Sequence, residues 1–157
     1  MKQLKVLFTV ILLLTIVNLA QAQEKGFGLG IIIGEPTGVS AKLWTSNRTA
    51  LDFALGWSFI DNDKNNSGEN IHFHMDYLWH SFNAINSTER FPLYYGIGGR
   101  FNSHKDEGSI AVRGVFGILW LPHETPIDVF LEVAPSLELT PSTNFAIDAA
   151  LGLRFYF

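Results

Sequence analysis

Bulky apolar residues recur at every second position along most of the chain. In ALDFALGWSF (50–59) the large row is Leu51, Phe53, Leu55, Trp57 and Phe59. Between them lie Ala50, Asp52, Ala54, Gly56 and Ser58. In NFAIDAALGLRFYF (144–157) Phe145, Ile147, Leu151, Leu153, Phe155 and Phe157 form one row, with small Ala149 in register. Asn144, Ala146, Asp148, Ala150, Gly152, Arg154 and Tyr156 form the other. Side chains alternate across a β-strand, so this period marks strands with two chemically distinct faces. A helix would need apolar residues three and four apart, which these stretches lack. The pattern predicts strands over 26–33, 38–45, 50–60, 71–80, 91–102, 109–121, 127–139 and 144–157.

Turn-forming residues separate the strands. They fall at 34–38 (GEPTG), 46–48, 61–70 (DNDKNNSGEN), 83–90, 103–108 (SHKDEG), 122–126 and 140–143. Gly, Pro, Asn, Asp and Ser suit such positions. No helix, second domain or internal repeat is predicted. An even number of antiparallel strands joined by turns can close on itself and leave no free edge. The expected fold is all-β, an eight-stranded antiparallel up-and-down barrel.

Residue size decides which face looks outward. A lipocalin-like soluble barrel would put the apolar row inside and Lys, Glu and Thr outside. Here the row opposite the bulky one holds Gly28, Gly30, Ala54, Gly56, Gly96, Gly98, Ala146 and Ala150, with scattered charges. Small residues and a few long charged ones suit a narrow eight-stranded lumen. The bulky row suits lipid. Ten residues at about 3.4 Å each, tilted by about 40°, rise roughly 26 Å, close to the apolar band of a transmembrane barrel. Trp44, Trp79 and Trp120 fall at one expected rim and Trp57, Phe59 and Phe101 near the other, where aromatic rings favour the headgroup layer. Trp44 is out of register with the apolar row of its strand, which is expected where parity weakens at a rim.

The start of the chain supports export. MKQLKVLFTVILLLTIVNLAQA (1–22) has basic Lys2 and Lys5, an apolar stretch, and the small-x-small site Ala20-Gln21-Ala22. This reads as a cleaved signal peptide, leaving a barrel domain over 23–157. An N-terminal anchor would need a longer apolar core, about 20 residues. No cysteine follows the apolar run, which excludes a lipid-anchored lipoprotein. Without Lys2 and Lys5 the net charge moves from −4 to −6, against a nucleic-acid partner. The absence of cysteine removes disulfides and thiolate metal sites. Charged residues are only 17%, below the roughly 25% of soluble domains.

LGLRFYF at the chain end, with Leu151, Leu153, Phe155 and Phe157 on one face, resembles the C-terminal signal of bacterial outer-membrane barrels. The whole of 23–157 resembles a small outer-membrane barrel of the OmpA/OmpX architecture. GEPTGVSAKLW and LDFALGWSF resemble a group of small outer-membrane barrels of unknown function. The resemblance implies recognition by the barrel-assembly machinery, a cell outer-membrane location in a Gram-negative-type bacterium, and periplasmic termini. The connections at 34–38, 61–70, 103–108 and 140–143 are then extracellular. Those at 46–49, 81–90 and 122–126 are periplasmic, and 81–90 is longer than such turns usually are. No functional residue carries over from the resemblance.

By parity the lumen holds Lys42, Asp52, His72, His74, Asp76, His80, Arg100, Arg113, Asp128, Glu132, Glu138, Asp148 and Arg154. Charges in a narrow lumen must pair, so a salt-bridged, plugging network is expected. IHFHMDYLWH (71–80) looks like a metal or catalytic cluster, but His72 and His80 lie about 27 Å apart on an extended strand. The expected role is a ladder of lumen histidines paired with acids such as Asp52 or Asp76. GIGGR (96–100) reads as close lumen packing, since no helix follows.

Three classes of function compete. A structural or surface-interaction barrel is expected foremost, with outer-membrane lipid around it and any extracellular ligand engaged through 61–70 and 103–108. A lipid-modifying enzyme, such as a lipid A deacylase or acyltransferase, would need a nucleophile within reach of a base. His80 and Ser81 point to opposite faces, His104 with Ser103 or Asp106 lies in a loop, and His123 sits in a turn beside Glu124. A narrow channel is the third class. The expectation is a non-enzyme without cofactor, catalytic residue or metal.

Overall fold

A computed structural model describes residues 26–57, 71–104 and 107–157. The expected signal peptide, Phe59 and the 61–70 loop lie outside the described residues. The strands are β1 (Phe27–Gly34), β2 (Thr37–Trp44), β3 (Thr49–Trp57), β4 (Ile71–Ser81), β5 (Leu93–His104), β6 (Glu107–Trp120), β7 (Ile127–Thr140) and β8 (Asn144–Tyr156). Each pairs antiparallel with its sequence neighbour, and β1 pairs with β8, so the sheet is a closed barrel. Closure gives every strand two partners and leaves no edge.

The wall has the expected two faces. Inward positions of β4 alternate strictly with exposed ones: His72, His74, Asp76 and Leu78 are buried, while Ile71, Phe73, Met75 and Tyr77 are exposed. The outer surface carries large apolar residues on every strand, with Ile97 and Phe145 each 62% exposed. The buried interior is mixed. Ile32, Leu78, Val115, Leu119 and Phe130 pack within it beside the charged groups.

Size pairing across strands lets the long side chains fit. Gly28 faces Lys42, Gly30 faces Arg154, Gly56 faces His72, Gly98 faces both Asp76 and Arg113, and Gly152 faces Phe130. Many of the large inward residues therefore have a glycine beside them, while His74 and Arg100 stand beside Ala54 and Ala111, which is how a small lumen reaches close packing.

Three features depart from the sequence expectation. Four residues of the 103–108 connection are strand, since Ser103 pairs with Gly108 and His104 with Glu107. The β1–β2 turn is only residues 35–36. Gly34, at φ 128°, makes the sharp reversal, and Thr37 Oγ1 donates to its carbonyl at 3.0 Å. The β6–β7 ladder also skips Gly114 and Val115 opposite Pro135 and Ala134. Pro135 has no N–H to give to that rung.

Adjacent Gly98 and Gly99 test the sidedness. A Cβ on Gly98 would collide with Asp76 Oδ1 and the Met75 carbonyl, whereas the nearest atom to a Cβ on Gly99 is 3.8 Å away. Gly98→Val should cost about 1–3 kcal/mol through overpacking, or prevent folding. Gly99→Val should leave stability within about 0.5 kcal/mol of the parent. Urea-unfolding midpoints of the two purified variants check this, and equal midpoints would contradict the assignment of faces.

Candidate functional site

The polar interior is the strongest concentration of chemistry in the described residues. Strand parity places Lys42, Asp52, His72, His74, Asp76, His80, Arg100, Arg113, Asp128, Glu132, Asp148 and Arg154 in it as buried groups. Glu138, at the end of β7, keeps its side chain 21% exposed. Three arginines at three heights divide these residues into layers.

Near the 35–36 and 141–143 turns, Arg100 Nη1 donates to both oxygens of Asp148 at 2.9 and 3.0 Å. Its Nη2 donates to Glu138 at 2.8 Å, and Ser109 also reaches Glu138. At mid-height Arg113 Nη2 donates to Glu132 Oε1 at 3.2 Å, while its Nε lies 3.4 Å from Asp76. Tyr94 donates its hydroxyl to the other Glu132 oxygen at 3.0 Å. Nearer the opposite rim Arg154 Nη1 donates to Asp52 at 2.5 Å, and its Nε is 3.9 Å from Asp128. Tyr156 donates to Asp128 at 2.5 Å. The Arg154 guanidinium also lies 3.9 Å from the Phe130 ring centroid, a cation–π contact.

The expected pairing of the histidines with acids is met only in part: His74 lies beside Asp76, whereas Asp52 pairs with Arg154. Arg113 Nη1 lies 2.7 Å from His74 Nδ1. A guanidinium only donates, so His74 Nδ1 accepts and the ring carries its proton on Nε2, which points to Asp76 at 3.7 Å. His72 Nε2, 3.0 Å from the same Nδ1, is then a donor. His80 meets Lys42 Nζ at 2.9 Å through Nε2, and its Nδ1 lies 3.2 Å from the Arg48 carbonyl. Asp52 belongs to Arg154 instead. The physical reason is height: across β3–β4, Asp52 stands level with Asp76, a like charge, and each is drawn to a different arginine.

Sequence reasoning missed several participants. Glu35 was expected in an exposed turn, yet it is buried, with Oε1 3.8 Å from His72 Nδ1. The tight reversal at Gly34 and the bond from Glu35 N–H to the Ala149 carbonyl, 2.9 Å, fold it over the lumen. Tyr94, Ser40 and Ser136 are also buried inside, and parity with Arg100, Lys42 and Glu132 was the available signal. Trp44, expected in an outer aromatic girdle, turns inward. Its ring is 4.4 Å from that of His80, with Lys42 Nζ 5.0 Å from its centroid. Parity did not weaken at this rim, and Trp44 follows Lys42 and Ser40 into the mouth of the barrel.

Of the residues weighed for catalysis, His80 and Ser81 are separated, and Asp106 lies outside the described residues. His80 is buried and Ser81 exposed on the other face. His123 is exposed, with Nε2 3.1 Å from the Thr88 carbonyl. No group of three or more His, Asp or Glu among the described residues is placed to hold a metal ion.

Each arginine is balanced by carboxylates, so removing one partner strands the other. Arg154→Leu and Asp52→Leu should each cost about 3–5 kcal/mol. The double variant should cost less than their sum by about 1–3 kcal/mol. A double-mutant cycle on unfolding free energies reads this coupling, and strict additivity would show that the two groups do not interact.

No protein-family model matches the chain, nor does any curated protein or solved structure.

Proposed function

We propose that the protein is a small integral outer-membrane β-barrel that acts as a structural or surface-interaction protein. Its lumen is closed by its own salt-bridged side chains, and its extracellular loops make the contacts. One observation carries this reading: the sidedness is inverted relative to a soluble barrel. Arg113, Arg154 and Lys42 are at most 1% exposed, while leucine, isoleucine and phenylalanine cover the outside. Burying charge and exposing apolar surface is unfavourable in water and favourable in a bilayer, where the closed ladder also satisfies the backbone.

The supporting features agree with one another. The N-terminal 22 residues read as an export signal, and Leu151, Leu153, Phe155 and Phe157 stand exposed on one face of the last strand and the residue after it. That row is the proposed contact for the barrel-assembly machinery. Outer Tyr77, Trp79 and Tyr95 cluster toward one end, with Trp79 stacked 5.8 Å from Tyr95, as an interfacial anchor would. The turns at 45–48, 82–92 and 121–126 are proposed to face the periplasm. The connections at 61–70 and 103–108 are proposed to face outside and to make the contacts.

Expressed with its own leader in a Gram-negative host, the protein should sediment with outer membranes and resist carbonate extraction. Unboiled samples should run differently from boiled ones on SDS gels. Recovery as soluble periplasmic material that co-migrates before and after boiling would refute the proposal. Deleting 61–70 should leave the gel shift intact while abolishing any cell-surface binding the parent shows.

A further inference from the structure

The barrel mouth at the rim of the 45–48, 82–92 and 121–126 turns opens into a cavity of about 350 Å³. Its lining includes Trp44, Phe82, Tyr156, Pro122 and Pro126, and Arg90 is the one charged side chain among the lining residues. The Trp44 and Phe82 rings are 6.1 Å apart at 33°, too close to admit a ring between them. They form a continuous aromatic floor with His80, whose ring lies 4.4 Å from Trp44.

The same cavity accounts for the unusually long 82–92 connection. That connection supplies both Phe82 and Arg90, and it is tied down. The Leu121 N–H donates to the Arg90 carbonyl at 3.0 Å, and Trp120 Nε1 donates to Glu89 at 3.3 Å. His123 Nε2 lies 3.1 Å from the Thr88 carbonyl. Arg90 is therefore held in place while its side chain stays exposed. Its guanidinium lies 5.5 Å from the Phe82 ring centroid, with no carboxylate at ion-pair distance among the described residues. A second cation, Lys42, lies behind the floor at 5.0 Å from the Trp44 ring.

We propose that this cavity binds a small aromatic carboxylate. The ring of the ligand lies on the Trp44–Phe82 floor, and its carboxylate takes the fork of Arg90. The fit is chemical. A planar guanidinium pairs with a carboxylate through two parallel bonds. Aromatic floors favour offset stacking with a flat ligand. One guanidinium matches one negative charge, and the cavity volume lies in the range of small-ligand sites.

The site is independent of the proposed contact loops at the other rim. The test uses the full-length barrel in lipid nanodiscs, titrated calorimetrically with 1-naphthoate, neutral 1-naphthalenemethanol and decanoate. Saturable one-to-one binding of naphthoate is expected. Arg90→Gln should weaken naphthoate by about tenfold or more, one charge-assisted pair, and leave the alcohol unchanged. Arg90→Lys should restore only part of the loss, since a point charge lacks the fork. Trp44→Leu should weaken both naphthalene ligands. In a variant with Trp57, Trp79 and Trp120 replaced by Phe, naphthoate should change the Trp44 emission. Absence of saturable binding would overturn the proposal, as would binding indifferent to Arg90→Gln or tighter binding of decanoate than of naphthoate. Gel-shift controls show that each variant is folded, and deletion of 61–70 should not alter the affinity.

Discussion

A charge inside an eight-stranded barrel must find its counter-charge among the other inward side chains, because the bore is too narrow to hydrate it. This constraint organises the interior. Arg100, Arg113 and Arg154 each lie within ion-pair reach of two carboxylates, at successive heights. A planar fork with five donors can serve two acids from one side chain, which a lysine cannot do with the same directionality. Carboxyl groups still outnumber the permanent cations. Hydroxyl donors take up the difference at two points, where Tyr94 donates to Glu132 and Tyr156 to Asp128.

The same constraint explains the glycines. Long guanidinium side chains fit where the neighbouring wall recedes, and the strand register supplies a glycine opposite Arg154, another opposite Arg113, and small Ala111 opposite Arg100. On Gly30 an added Cβ would meet the Leu153 carbonyl and Arg154 Cα, so backbone as well as side chain depends on its absence. Charge pairing and wall packing are thus one design.

Much of this was readable from the chain because strand parity is binary. Once IHFHMDYLWH is a strand, His72, His74 and Asp76 must share a face, and the Gly and Ala content of that face marks it as the crowded one. Partner choice was not readable. Whether Asp52 meets a histidine or Arg154 depends on which β8 residue stands at its height across the barrel, and no local pattern carries that. Glu35 was missed for a related reason. A residue in a GEPTG turn has no parity, and only the inward fold at Gly34 brings it to His72. Trp44 shows the opposite error. Its parity was correct, but an aromatic at a strand end was assigned to the outer girdle on residue type.

The two ends of the barrel are sealed by different chemistry, and the difference bears on what each end can do. The end near Glu35 is closed by ion pairs: Arg100 with Asp148 and Glu138, and Glu35 beside His72. Such a seal is directional. The other end is closed by rings, with Trp44, His80, Phe82 and Tyr94 in successive contact. A ring seal is permissive. It excludes water from the Lys42–His80 pair beneath it, yet it presents a flat polarizable face to the outside. Arg90 is held above that face on a connection longer than closure of the hairpin requires. Sealing the lumen would need only Trp44 and its neighbours. The additional residues between β4 and β5, their anchoring to the 121–126 turn, and a guanidinium with no acid partner among the described residues are not explained by closing the barrel. They are explained if this end also receives an anion.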